Sequence, residues 1–200
     1  HVELDAVKER TTLAVRRDVA EKLSELAKER RSTVYSLASS ILEQGIQVVR
    51  ESGSDMVISN LWRVYKVLRD VDAVVLPSYF MDALIKELYS HDRMKLFSLF
   101  SQLGKDVGLL MKTYASSFEE LVSLAALFSY FFPLKRIELK NLGKDGMEIS
   151  VVGIGESVET TEAVSVAAKE MLSVFGVEVL NQTVSRGMIK LVVRPKVNRL

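Results

Sequence analysis

Two arginine pairs, Arg16-Arg17 and Arg30-Arg31, stand at either end of one short helical stretch near the start of this 200-residue chain. From Lys8 to Ser36 eight Lys and Arg residues face five Asp and Glu, although the whole chain carries a formal charge of only +1. A local surplus of this kind suits a phosphate backbone, and it suits solvated helix faces equally well. Beside the first pair, residues 11–17 alternate. Leu13 and Val15 point to one side, Thr12 and Ala14 to the other, and Arg10 continues that second face. The apolar face fits onto helices below it, and the other face is placed to meet base edges.

Other chemistry is scarce. The chain has no cysteine, which excludes disulfides, iron–sulfur clusters, thiolate zinc sites and cysteine nucleophiles. Its two histidines are His1 and His91, so a transition-metal site would need mostly carboxylates. No cofactor is expected. His1 reads as a tag remnant in the place of an initiator Met. There is no nucleophile–base pair, P-loop or Rossmann fingerprint. The run G-I-G-E-S at 153–157 lacks the third glycine and reads as a turn into a helix. Glu156, Glu159 and Glu162 lie near that helix start, where negative charge is favoured in any case. The chain is therefore not expected to be an enzyme. No run reaches the roughly 18 apolar residues of a membrane span, and no signal peptide is visible, so a cytoplasmic protein is expected. Asn and Gln number four each, a weak thermophile signature.

The elements that must position the basic residues follow from periodicity. A strand at 11–17 is too short to stand alone, and its unpaired edge groups need a partner. The nearest solution is the same strand from a second copy about a two-fold axis. Two such strands make a ribbon that fits the DNA major groove. Helix A is predicted over 18–30, with Val19, Leu23, Leu26 and Ala27 on one face. Ser32 is placed to N-cap helix B over 33–50, about 27 Å long, with Val34, Ala38, Ile41, Leu42, Gly45 and Val49 as its buried stripe. The free N–H groups at its start, with Ser32 and Thr33, can grip a phosphate.

In this order, the alternating strand, L-S-E-L-A, a basic turn and S-T-V-Y-S resemble the ribbon-helix-helix family of DNA-binding repressors over about 40 residues. The resemblance implies that Arg10, Thr12 and Ala14 face bases. It also implies that Ser32 and Thr33 anchor a backbone phosphate with help from Arg31 and Tyr35. Two positions depart from the family pattern. Arg31 stands where the turn between the helices usually has Gly, a position calling for φ > 0. Ala14 stands where a polar or basic reader is common, and has only a thymine methyl to touch.

Beyond the polar break at 51–55, residues 55–69 read as a helix with Met56, Leu61, Val64, Tyr65 and Leu68 as core or dimer contacts and Trp62 at an interface. Residues 71–77 are a β-branched run ending at Pro77, and a helix over 78–90 follows with Phe80, Leu84 and Leu88. Asp92 caps a helix over 93–113, in which Gly104 and Gly108 let another helix or a ligand come close. The most apolar helix covers 116–132 and stops at Pro133. Strands at 136–142 and 147–154 join through G-K-D-G, a helix over 160–175 closes at Gly176, and strands at 177–184 and 188–193 flank Arg186-Gly187. The order is ββαββ on one sheet.

Helices opening at V-V-L-P-S-Y-F, then F-S-Q-L-G-K-D-V-G, then a closing ββαββ, look similar to the 4-vinyl reductase domain family over about residues 70–194. That family is related to TRAPP-type trafficking subunits and haem-nitric-oxide sensor domains. The resemblance implies dimerisation and a small apolar ligand held between helical and α+β parts. Metal-binding members use Cys and His that are missing here, so no metal or haem is carried over. A ligand pocket would be walled by Phe97, Phe100, Leu110, Tyr114, Phe118, Leu121, Phe128 and Tyr130, residues that equally suit a plain core.

The expected protein is α+β: a ribbon-helix-helix module at 1–50, a linker and connecting helix at 51–69, and a sensor or dimerisation domain at 70–200. It is expected to be a homodimeric transcription regulator with double-stranded DNA as partner, a small apolar ligand and no membrane association. The alternatives are an antitoxin-like adaptor that holds a partner protein, and a small-molecule binder that dimerises without touching DNA.

Overall fold

The computed structural model describes residues 9–129, 136–155 and 157–196. The chain divides into two compact units, residues 1–59 and 60–200. Pro133 and Tyr130, with their expected roles as helix stop and pocket wall, lie outside the described residues, as do His1 and Glu156.

In the first unit, α1 spans Arg17–Glu29 and α2 spans Val34–Ser52. Residues 9–16 join no strand ladder. The strand expected at 11–17 has no partner among the described residues, and a ladder cannot form from one side. Leu13 and Val15, expected to sit on the helices, are 68% and 60% exposed. Among the described residues of this unit only Ala27 and Leu37 are buried. The turn between the helices is a Schellman closure: the Arg31 amide donates to the Lys28 carbonyl at 3.1 Å and the Ser32 amide to Ala27 at 2.9 Å. It places Arg31 at φ 53, in the left-handed region the sequence called for.

The helix α3, Met56–Val71, begins three residues after α2 closes at Gly53. Its first turn lies on α2, where a Cβ at Gly45 would stand 3.6 Å from Ile58 Cδ1. Val64 and Val67 are its buried residues; Met56, Leu61 and Tyr65, expected as core or dimer contacts, are exposed. Its end repeats the Schellman closure, with Asp72 at φ 57 and the Ala73 amide on the Leu68 carbonyl at 2.9 Å.

The second unit continues with α4 (Ser78–His91), α5 (Arg93–Met111) and α6 (Phe118–Phe128). Then come β1 (Arg136–Asn141), β2 (Met147–Val152), α7 (Val158–Val174), β3 (Val177–Ser185) and β4 (Met188–Pro195). The expected ββαββ order is present. All pairings are antiparallel and the strand order is β1-β2-β4-β3. On β4, buried Ile189, Leu191 and Val193 alternate with exposed Lys190 and Arg194, so one face is core and the other is solvated.

At three helix starts a short polar side chain accepts from the third helical amide, and Asp92 was the one legible as a cap. Asp92 accepts from Lys95, Ser117 from Glu120 and Ser157 from Thr160. Glu120 answers by accepting from the Ser116 amide and hydroxyl at 2.7 and 2.9 Å, which holds its carboxyl below the usual range. Helices α5 and α7 approach through glycine. A Cβ at Gly104 would stand 2.2 Å from the Ala167 carbonyl oxygen, so no larger residue fits there unless the backbone moves.

Candidate functional site

The residues expected to meet DNA lie on the first unit. Arg10, Thr12, Ala14, Arg31, Ser32, Thr33 and Tyr35 are all exposed. The Arg10 guanidinium stacks over the Tyr35 ring, 4.6 Å from its centroid. The structure thus brings together a residue assigned to bases and one assigned to phosphates. Arg16 is engaged locally, in two bonds to Asp18 at 3.1 and 3.2 Å.

Helix α2 opens one residue later than expected. Thr33, not Ser32, is its N-cap, and Thr33 Oγ1 accepts from the Ser36 amide at 3.1 Å. Ser32 Oγ instead lies 3.4 Å from the Thr33 carbonyl. The reason is the Schellman closure of α1, which uses the Ser32 amide and leaves Thr33 as the first residue free to turn into a helix. The Val34 and Tyr35 amides in the first turn have no intrahelical acceptor by the geometry of any helix start. Together with Arg31 and the Ser32 hydroxyl, they can hold an anionic oxygen.

The second unit contains an apolar cavity of about 420 Å³. Ile137, Ile149, Ile189 and Leu191 of the sheet form one wall; Leu121 and Ala125 of α6, with Ala167, Ala168 and Met171 of α7, form the other. A second apolar space of about 300 Å³ lies between α3, α5 and α6 and shares Leu121, Ala125 and Met171 with the first. These volumes fall in the range of small-molecule sites. The alanines make the space, because each stops at Cβ where a larger residue would reach the sheet.

The expected pocket residues are divided. Leu121 lines both spaces and Phe128 the second. Phe118 is buried in the main core, where Leu110 and Tyr114 pack at its edge. The Tyr114 hydroxyl bonds Asp70 of α3 instead of facing a cavity. Phe97 and Phe100 belong to a separate cluster around Ile85, Leu96 and Ala163. Large aromatics fill space; the residues that leave it open, Ala125, Ala167 and Ala168, were missed. Their signal is slight: adjacent small residues, A-A at 125–126 and at 167–168, on apolar helices.

A buried polar cluster was also missed. Asp82 of α4, 5% exposed, accepts from the Ser157 hydroxyl at 3.0 Å and from the Thr160 hydroxyl. Thr161 Oγ1 donates to the Ser157 carbonyl at 2.8 Å and accepts from the Gly187 amide at 3.0 Å. The G-I-G turn fits against it, since a Cβ at Gly155 would stand 2.6 Å from Thr160 Cγ2. The carboxylate sits at the positive end of α7, so the cluster pins α4, α7 and the β3–β4 turn together. Among the described residues, no group of three His, Cys, Asp or Glu could hold a metal, and no helix is long and apolar enough to cross a membrane.

No protein-family model, curated protein or solved structure matches the chain.

Proposed function

We propose that this chain is a homodimeric DNA-binding transcription regulator. Residues 10–50 form its ribbon-helix-helix reader, and the second unit binds a small apolar ligand. The observation that carries this reading is the unfinished core of the first unit. Leu13, Val15, Val19, Leu26, Val34, Ile41, Leu42 and Ile46 are exposed around what are, among the described residues, only two buried side chains. So small a core does not hold a unit of this size together, and an apolar surface of that extent calls for a protein partner. A second copy covers it and pairs residues 9–16 across a two-fold axis. That pairing turns Leu13 and Val15 inward and presents Arg10, Thr12 and Ala14 on the other face. The exposed Arg31 turn and the start of α2 then flank the ribbon, where phosphates lie.

The ligand reading rests on the two apolar spaces that share Leu121, Ala125 and Met171, whose walls offer a ligand no ion pair. The test is binding of the purified chain to the DNA upstream of its own gene, across a salt series, beside a scrambled duplex. The expected result is preference for the native duplex, with affinity falling steeply as salt rises. Equal binding to both duplexes, or none, overturns the reading.

A further inference from the structure

We infer that the two apolar spaces divide one task, a division that rests on the ligand reading above: the space on the sheet side holds the ligand, and the space under α3 reports its presence to the first unit. The route is α3 itself. Its residues 56–59 count with the first unit and 60–71 with the second, and the helix runs through that boundary without a break. Ile58 lies by Gly45 of α2, while Val67, Leu68 and Val71 line the second space. Opposite them stand Val107 of α5 with Leu124 and Phe128 of α6. A void of about 300 Å³ there leaves the lining of α3 without partner atoms. Two buried side chains, Val64 and Val67, and the bond from the Tyr114 hydroxyl to Asp70 hold the helix down. A segment with so few buried apolar contacts opens at low free energy.

The ligand class follows from the walls. Leu121, Ala125 and Met171 border both spaces. An uncharged, elongated molecule lying along these three side chains faces the sheet with one end and α3 with the other. When α3 lifts away, that second end loses its wall. The molecule therefore binds more tightly to the state with α3 docked, and this differential affinity is what any ligand-driven change requires. The helix carries the gain to the first unit because its first turn belongs there. Coupling of this kind is reciprocal: if the ligand changes duplex affinity, the duplex changes ligand affinity by the same factor.

The experiment uses the full chain and diphenylhexatriene, a rod-shaped uncharged fluorophore. It reads fluorescence on uptake, amide hydrogen exchange along α3 and the first unit, and affinity for the native duplex. With the probe roughly a hundredfold above its dissociation constant, exchange in residues 60–71 is expected to slow about tenfold or more. Duplex affinity is expected to change about fivefold or more, with the same factor in the reverse direction. Val107→Phe puts a ring into the space under α3. It should keep uptake on the sheet side, slow α3 exchange before any probe is added, and lose the duplex response. Should that ring prevent folding, Tyr114→Phe carries the test, since it removes the bond to Asp70 and should speed α3 exchange in the probe-free chain. Uptake that leaves α3 exchange or duplex affinity unchanged, with duplex preference intact, overturns the inference and leaves the ligand and DNA readings standing. Slowed exchange in α3 and the first unit without duplex preference supports the route and removes the DNA reading. No uptake overturns the inference together with the ligand reading.

Discussion

Arg31 sets backbone conformation against chemistry. A non-glycine residue at φ 53 is strained, and a guanidinium at that turn is useful only if something anionic meets it. Arg31→Gly is expected to raise the unfolding free energy by about 1 kcal/mol in chemical denaturation. The salt slope of the proposed DNA complex should flatten by about 0.9, one phosphate contact. A stabler variant with an unchanged slope would take Arg31 out of the phosphate set. Tyr89 supplies a titration at the same scale. Its hydroxyl donates to Glu162 Oε2 at 2.7 Å, and that bond, then burial and the carboxylate's charge, hold the phenol above its ordinary 10.0 against the opposing Arg93. The contact therefore contributes fully below pH 10.0 and is lost as pH rises through the raised value. Ultraviolet titration should find Tyr89 titrating late, and Glu162→Gln should bring it back down. The Arg31 turn was legible because its conformation depends on near neighbours in sequence. The role of Asp82 was not, because its partners Ser157 and Thr160 lie 75 and 78 residues away in sequence and meet it only through the fold.

The helices and the four strands of the second unit were legible from their periods, and their order there was read correctly, whereas the strand expected at 11–17 joins no ladder. What escaped was which face each turns to which neighbour. The tight crossing of α5 and α7 shows why. Gly104 and Gly108 announce a close approach, yet only the fold identifies Ala167 and Met171 as what approaches. Gly104→Ala is expected to lower the unfolding free energy by about 1–3 kcal/mol, because the added carbon meets backbone. Gly108→Ala should cost less, since its nearest neighbours stand at 3.2 Å. Both follow from denaturant unfolding, and equal stability would mean that the helices can slide apart freely. The cavity was illegible for the converse reason, since empty space is encoded by side chains that are absent. Ala168→Leu should fill it and abolish uptake of an apolar fluorescent probe with little loss of stability. Undiminished uptake would place the probe elsewhere.

Taken whole, the chain joins a unit with its own sheet, helices and core to one whose apolar residues remain largely in solvent. Under the proposed dimer the two should respond differently to concentration. Thermal unfolding of the first unit should shift upward as protein is added, because association is part of its stability, while a transition of the second unit that is independent of the dimer should not shift. Calorimetry over a dilution series reads this directly, and concentration-independent unfolding throughout would contradict the proposal. Residues 9–16 have no ladder partner among the described residues, and under the proposed dimer this has a consequence for gene dosage. The proposed reader, assembled half from each of two chains, would not exist at low copy number. Below the dimer constant, the number of readers grows with the square of chain concentration, so halving expression quarters the occupied sites. A switch built this way stays silent against background synthesis and responds once a threshold of copies is passed, with no further element needed to sharpen it.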